Sequence, residues 1–235
     1  MPKQYIARAG RTTLKLSLVE GTKAYVQLKR EVEAEGILDR DYFYYVKLFL
    51  FVFSGFFLSW FILFLSTSFI AIILSSILVA FFAVQITGFF HDAGHRAIFK
   101  SSKYNDIVGY FTCFFLAYTY KKWRVNHNRH HANPNEEDMD PDIERPMFSF
   151  NNDQMKSKKG IWKTLSQLQL YTYYPIGTLT AIYAQLANIF YFVKEPRKTK
   201  YWEKLLFAVG ITLWILGPLA VFGLTKASIF YLVAY

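Results

Sequence analysis

Long stretches without charge dominate the pattern of hydrophobic and polar positions along this chain. Residues 48–90 are 43 positions with no charged side chain, and as one helix they would reach about 65 Å at about 1.5 Å per residue. A hydrocarbon core is only about 30 Å thick. The stretch therefore predicts two membrane passes, with Ser66, Thr67 and Ser68 forming the turn between them.

Further apolar stretches extend this pattern towards the carboxyl end. Residues 205–224 are uncharged and predict a third span, and residues 227–235 begin another apolar run. A span cannot stop inside hydrocarbon with free carbonyls, so we expect the chain to be a carboxyl-terminally truncated piece of a longer protein. Residues 107–120 are uncharged but too short to cross, which predicts an interfacial helix.

The remaining segments predict helices outside the spans. Residues 164–193 lack charge but are rich in Gln, Tyr, Thr and Asn, with a break at 175–177, and predict a surface or cavity-lining helix pair. LKREVEAEGILDRDYFYYV predicts an amphipathic helix followed by a break at EGILDRD. The expected fold is an all-α, multi-pass membrane protein with interfacial helices that form a cytosolic cap. We expect one domain, incomplete at its carboxyl end, with segments 1–43, 44–90, 91–204 and 205–235.

Composition and charge agree with this topology. The chain is 53% hydrophobic and 20% aromatic with a net charge of +10, and such apolar content is typical of membrane proteins. With the predicted spans, 26 of the 27 Lys and Arg residues lie on one side, and Lys226 alone lies opposite. The positive-inside rule then places the amino terminus and residues 91–204 in the cytoplasm, next to the inner membrane. No nucleic-acid-binding motif accompanies the positive charge. Cys113, as the single cysteine, excludes an internal disulfide.

All five histidines lie in two short clusters, HDAGH at 91–95 and HNRHH at 127–131. His91 and His95 are spaced i, i+4 and share one helix face, as do His127, His130 and His131 at i, i+3, i+4. The first pair directly follows the second predicted span, and the 31 residues between the clusters are enough for a short helix that brings the two faces together. Neutral imidazole suits iron, copper, nickel and zinc, so the clusters predict a shared metal site.

Acidic residues beside the histidines are candidates for outer contacts that orient the imidazoles. They are Asp92, Asp138, Asp140 and Asp142, and a solvated charged loop is the alternative interpretation for each of them. Five histidines exceed the four ligands of a structural zinc but are too few for two metals. This shortfall predicts a third histidine cluster beyond residue 235.

HDAGH followed by HNRHHANPNEEDMDPDI resembles the first two histidine boxes of the membrane fatty-acid desaturases. The similarity is greatest to bacterial acyl-CoA and acyl-lipid desaturases with a linoleoyl-CoA-desaturase-like domain, and it includes LKREVEAEGILDRDYFYY and QLYTYYP. The resemblance implies a cytosolic di-iron centre that uses O2 to introduce a cis double bond into a fatty acyl chain. It implies His91 and His95 as box-one ligands, and His127, His130 and His131 as box-two ligands.

The resemblance also implies partners. The substrate would be a CoA-linked or lipid-linked fatty acyl chain in a dry tunnel, with Trp123 and the aromatic residues of 110–120 as candidates for its lining. The chain contains no HPGG motif and no histidine before residue 91, so a fused cytochrome b5 is excluded within it. Electrons would come from a separate ferredoxin, rubredoxin or cytochrome b5 with its reductase.

Three alternatives stay open. A membrane di-iron hydroxylase or a carotenoid ketolase is built on the same boxes, and only its product distinguishes it from a desaturase. An intramembrane zinc protease needs HExxH with Glu as general base, whereas Asp92 stands at that position here. A haem-binding membrane protein would place single imidazoles deep within facing spans rather than in clusters at helix ends.

Overall fold

The computed structural model of the chain describes residues 5–9, 12–16 and 18–235, with side chains from residue 19 onward. An amino-terminal unit reaches Asp41, and a larger unit begins at Tyr42. The first unit contains an antiparallel hairpin of strands β1 (Tyr5–Ala9) and β2 (Thr12–Leu16), followed by helix α1 (Leu18–Ala34). The hairpin is an addition to the predicted all-α fold, in a segment for which no strand was predicted.

Helix α1 ends where the sequence predicts a break. Gly36 adopts a left-handed backbone conformation with φ of 71°, and its N–H donates to the carbonyl of Glu33 at 3.1 Å. A glycine in this conformation is a common helix terminator, because it lacks the Cβ that penalises positive φ.

The charge-free stretch forms an antiparallel pair of long helices, α2 (Tyr42–Leu65) and α3 (Phe69–Gly94). The turn between them lies at residues 66–68, as predicted. Ser68 caps α3, because its hydroxyl accepts a hydrogen bond from the N–H of Ala71 at 3.2 Å. Both helices are long and apolar enough to cross a membrane.

The third such helix of the described residues is α10 (Tyr201–Ala234), and it is broken inside. Gly223 has φ of 73° and ψ of 174°, outside the helical region. The Tyr231 hydroxyl donates to the carbonyl of Ile215, a contact that sixteen residues of straight helix, about 24 Å long, could not make. The chain therefore reverses at the break, and Lys226 beyond it donates to the carbonyls of Phe64 and Ser66 at the turn between α2 and α3.

Aromatic side chains pack α2, α3 and α10 together. Phe53, Phe56, Ile86 and Phe230 are buried, while many other large apolar side chains of these helices are exposed. In a membrane those exposed side chains contact lipid, and close packing rather than water exclusion holds the helices together. The all-α membrane fold is thus confirmed.

Shorter helices fill the region between α3 and α10, where the sequence predicts interfacial elements. They are α4 (Ser102–Leu116), α5 (Tyr120–Ala132), α6 (Asn152–Ser157), α7 (Gly160–Gln167), α8 (Gln169–Gly177) and α9 (Thr180–Lys194). Helices α8 and α9 meet at an angle of 72°, and together they are long and apolar enough to form a broken span or a re-entrant loop.

Candidate metal centre

The two histidine clusters are placed by the ends of two helices. Helix α3 continues past its apolar stretch, so that His91 lies in its last turn and His95 directly follows its end. Helix α5 carries His127, His130 and His131. The i, i+4 spacing within each cluster turns two imidazoles to one face of each helix, as the sequence predicts.

Four of the five imidazoles converge. His91, His95, His127 and His131 each present a ring nitrogen such that all four atoms lie within 4.8 Å of one another. The closest approaches join His127 Nε2 to His95 Nε2 at 2.9 Å and to His131 Nε2 at 3.1 Å. The structure thus brings the predicted pair together with two members of the predicted triplet, while His130 lies in a separate group with Asp140 and Asp142.

Hydrogen bonds among the rings cannot account for this geometry. A neutral imidazole nitrogen carries either one proton or one lone pair, so His127 Nε2 can form a linear hydrogen bond with one of its two neighbours. A cation placed among the rings would accept a lone pair from every nitrogen. Two nitrogens that each lie about 2.1 Å from a shared ion can be at most about 4.2 Å apart, and the closest pairs here, at 2.9 and 3.1 Å, meet that condition. The donor set fits a metal of the kind that imidazole prefers.

The surroundings of His127 and His95 favour the neutral form of these two rings. Loss of hydration lowers the pKa of His127 to about 4, and repulsion from a protonated His131, His91 or His95 adds to this effect. The pKa of His95 is lowered for the same reasons, again with loss of hydration as the main cause. Since a metal binds the unprotonated nitrogen, both rings are in the ligating state at neutral pH.

His130 differs from the other four because a carboxylate holds its ring. Its Nδ1 lies 2.9 Å from both oxygens of Asp140, which is fully buried, and 3.7 Å from the carboxylate of Asp142. Burial alone would raise the pKa of Asp140, but hydrogen bonds from the N–H groups of Asp142 and Asn135 and from His130 lower it. The carboxylate therefore accepts a hydrogen bond from Nδ1 of His130, and in the neutral ring this leaves Nε2 as the nitrogen with the lone pair.

Asp92 and Asp138 have different surroundings. The Asp92 carboxylate lies 3.2 Å from His91 Nδ1 and accepts a hydrogen bond from the Tyr45 hydroxyl of α2 at 2.9 Å. Asp138 contacts Arg129 rather than an imidazole: its backbone carbonyl accepts a hydrogen bond from Arg129 Nη2 at 2.9 Å. Sequence reasoning did not find Tyr45, which lies 47 residues away from its partner.

Trp123 packs directly on the centre. Its ring is stacked on that of His127, with 4.4 Å between centroids and an angle of 17°, and lies 4.1 Å from Phe90. The indole also lies against Gly94, where an added Cβ would be 2.5 Å from Trp123 Cζ3. Only glycine at position 94 leaves room for this ring.

A cavity of about 650 Å³ begins at the histidines. His91, His127 and Trp123 line one part of it. The walls continue with small and apolar side chains of α3, α9 and α10, among them Ala80, Ala83, Val84, Ala181, Ala184 and Trp214. The candidate metal centre therefore opens into a largely apolar space, and Trp123 is one of the residues that line it.

Comparison with known proteins identifies the family. The family model described as fatty acid desaturase matches residues 67–235, well over half of the chain. The chain belongs to the fatty acid desaturase family. Family membership confirms the resemblance seen in the two histidine clusters. No solved structure matches the chain.

Several curated desaturases are similar to parts of the chain. An acyl-lipid 8-desaturase of Rebecca salina is 34% identical over 43% of this chain and 25% of its own length. A Delta 8-(E)-sphingolipid desaturase of Emericella nidulans is 31% identical over 66% of the chain and 30% of its own length. A fatty acid desaturase of Bacillus subtilis is 34% identical over 34% of the chain and 23% of its own length. The chain thus spans less than a third of the length of these relatives.

Proposed function

We propose that this desaturase binds iron at its clustered histidines and introduces a cis double bond into a fatty acyl chain with O2 as the oxidant. The observation that carries the proposal is the convergence of four imidazole nitrogens, within 4.8 Å of one another, beside a largely apolar cavity. Bound iron would supply O2 activation and removal of hydrogen from an unactivated C–H bond, which acid–base side chains cannot perform.

The residues of the chain have distinct proposed roles in holding the metal. His91, His95, His127 and His131 would be ligands through the nitrogens that already face one another. His130 would present its Nε2, with Asp140 holding the opposite side of the ring. Two irons are the number that the family resemblance implies, and a further group of ligands would then be needed beyond these five histidines.

The cavity would hold the acyl chain. Apolar walls exclude water and position methylene groups by contact rather than by hydrogen bonds. Trp123, which touches both His127 and the cavity, would place the carbon atoms against the metal. The CoA-linked and lipid-linked forms of the substrate share this acyl chain, and the cavity is proposed to recognise that part.

We place the histidine end of the helices in the cytoplasm. The distribution of basic residues supports this orientation, and it would expose the centre to a soluble or membrane-attached electron donor. A ferredoxin, a rubredoxin, or cytochrome b5 with its reductase would serve.

Product analysis tests the proposal. The protein is expressed from its complete reading frame in a host that lacks its own desaturases, and the fatty acids are identified by mass spectrometry. We expect an acyl product lighter than its precursor by two hydrogens. His127→Ala should abolish it, while Asn128→Ala, an exposed neighbour on α5, should leave it unchanged. Product formation by His127→Ala at the normal rate would contradict the ligand assignment.

The product and the metal content of the purified protein separate the alternatives. An alcohol or a ketone in place of the alkene would indicate a hydroxylase or a ketolase, and zinc without iron in the purified protein would indicate a protease.

A second variant tests the cavity. Ala184→Phe fills its wall and should reduce turnover of long acyl chains, whereas Leu186→Phe changes an exposed position of the same helix and should not.

A further inference from the structure

One carboxylate joins the two segments that carry the histidines. Asp106 lies on α4, and its Oδ1 accepts a hydrogen bond from Arg96 Nη1 at 2.7 Å and another from Arg124 Nη1 at 2.6 Å. All three side chains are partly buried, with exposed fractions of 32%, 35% and 28% for Arg96, Asp106 and Arg124. Such charge-assisted contacts are among the stronger hydrogen bonds in proteins.

Each arginine is tied to a histidine by the backbone. Arg96 directly follows His95 and has a left-handed backbone conformation, with φ of 61°. Arg124 precedes His127 by three residues on α5, so both side chains lie on neighbouring positions of one helix face. Contacts that hold the two guanidinium groups at one carboxylate therefore also restrain the two backbone segments that carry the histidines.

Helix α4 holds the carboxylate in a fixed place. The buried side chain of Asn105 accepts from the N–H groups of Ile98 and Phe99 at 3.2 and 3.1 Å, and donates to the carbonyls of Phe99 and Ser101. On the other side, the ring of Tyr120 packs so closely on Gly109 that an added Cβ would lie 2.3 Å from it. The turn of α4 that contains Asp106 thus contacts both the segment after α3 and the start of α5.

The negative charge of Asp106 keeps two positively charged side chains close together. Both guanidinium groups contact the same oxygen, so their contacting nitrogens are at most about 5.3 Å apart, the sum of the two contact distances. Without the negative charge between them, two partly buried cations at this distance repel each other. That repulsion would separate the very segments that must stay together for the imidazoles to meet.

We propose that Asp106 is a positioning residue whose contacts with Arg96 and Arg124 set the separation of the two histidine clusters, and so the affinity of the centre for metal. This inference rests on the proposed metal-binding function. It adds a residue that lies outside the histidine motifs and touches none of the imidazoles.

Metal titration of charge variants tests the inference. The protein is purified in detergent from its complete reading frame, and Co²⁺ binding is followed by visible absorption. Asp106→Ala should weaken Co²⁺ binding by up to about tenfold, the lower end of the range for groups bonded directly to metal ligands, because Asp106 acts on the histidines only through Arg96 and Arg124. Asp106→Asn, which keeps an acceptor but no charge, should have a smaller effect. Asp153→Ala removes a carboxylate from an exposed ion pair with Lys156 and should leave binding unchanged.

A second substitution distinguishes positioning by charge from a general loss of structure. Arg124→Gln in the Asp106→Ala background removes one of the two repelling cations and should restore part of the Co²⁺ affinity. A loss of structure would instead make the double variant weaker than either single variant. Equal affinity of Asp106→Ala and the unchanged protein would overturn the inference.

A measurement without metal keeps the test independent of the proposed function. Spin labels at Lys100→Cys and Asn128→Cys, both exposed, report the distance between the segment after α3 and α5, and Cys113 is buried. We expect Asp106→Ala to lengthen or broaden this distance, and an unchanged distance would overturn the inference. If the unchanged protein bound no Co²⁺ while the distance still responded, the proposed function would fail and the structural role of Asp106 would stand.

Discussion

Gly94→Ala is the smallest change that should disturb the metal centre. The added Cβ would lie 2.5 Å from Trp123 Cζ3 and 3.1 Å from Cη2, whereas carbon atoms in favourable contact are about 3.5–4.0 Å apart. The indole must therefore retreat by about 1 Å. The indole contacts both Phe90 and His127. Its movement would therefore displace the His127 ring, which makes the closest contacts with two other imidazoles.

The size of the effect follows from the cost of overpacking. An extra methyl group in a packed site costs about 1–3 kcal/mol, and about 1.4 kcal/mol corresponds to a tenfold change in an equilibrium constant. If that cost falls on the arrangement that holds the metal, Co²⁺ affinity measured by absorption titration should decrease by about fivefold to 100-fold. Gly88→Ala is the control, because it lies on the same helix and an added Cβ meets none of the described atoms within 4 Å.

A double-variant cycle identifies the atom responsible. Trp123→Leu removes the ring atoms that the new Cβ would contact, so adding Gly94→Ala in that background should cost little further affinity. The reasoning is refuted if Gly94→Ala weakens binding equally with and without the indole, or if Gly94→Ala and Gly88→Ala behave alike.

Three further predictions concern neighbouring groups. Asp140→Asn weakens the hold on Nδ1 of His130, so Co²⁺ affinity should fall about 10- to 100-fold; affinity equal to that of the unchanged protein would exclude a role for this carboxylate. The pKa of His127 is lowered to about 4 in the folded protein from 6.5, so the unfolded chain takes up the proton first. The contribution of His127 to the stability of the metal-free protein should be constant above pH 6.5 and decline between pH 6.5 and 4. Thermal unfolding at several pH values measures this, and His127→Asn should flatten the decline. Buried Glu203 accepts a hydrogen bond from the N–H of Lys121 at 3.0 Å. Glu203→Gln keeps an acceptor and should be tolerated, while Glu203→Ala should lower the free energy of unfolding by about 1–3 kcal/mol; equal denaturation midpoints for the two variants would contradict this.

The spans and the histidine clusters were predictable because each depends on local spacing. A charge-free stretch longer than one membrane thickness requires a turn, and Ser66 to Ser68 provide it. The i, i+4 spacing of His91 and His95 fixes a shared helix face before any tertiary contact forms. The reversal at Gly223 also agrees with the end predicted for the third span.

Features that depend on distant contacts were not predictable. Asp140 is one of four acidic residues that the sequence offers as contacts of the imidazoles, but the sequence does not show which ring it holds. The ring of His130 turns to it because the loop at 133–142 folds back on α5, with Asn135 and Asp138 at positive φ. Asp106 is 10 and 18 residues away from its two arginines. No periodic pattern marks such contacts, since they arise only when α4 packs between the two histidine segments.

Helix α3 carries His91 in its last turn and also forms one wall of the cavity. Ala80, Val84, Thr87 and His91 follow one another at spacings of four, three and four residues, and so they lie along a single stripe of the helix. At about 1.5 Å per residue, these three wall positions stand about 16, 10 and 6 Å from the histidine. The turns of α3 therefore set fixed distances from His91 along the cavity wall. A bulky side chain at one of these positions would limit the depth of the cavity to the corresponding distance.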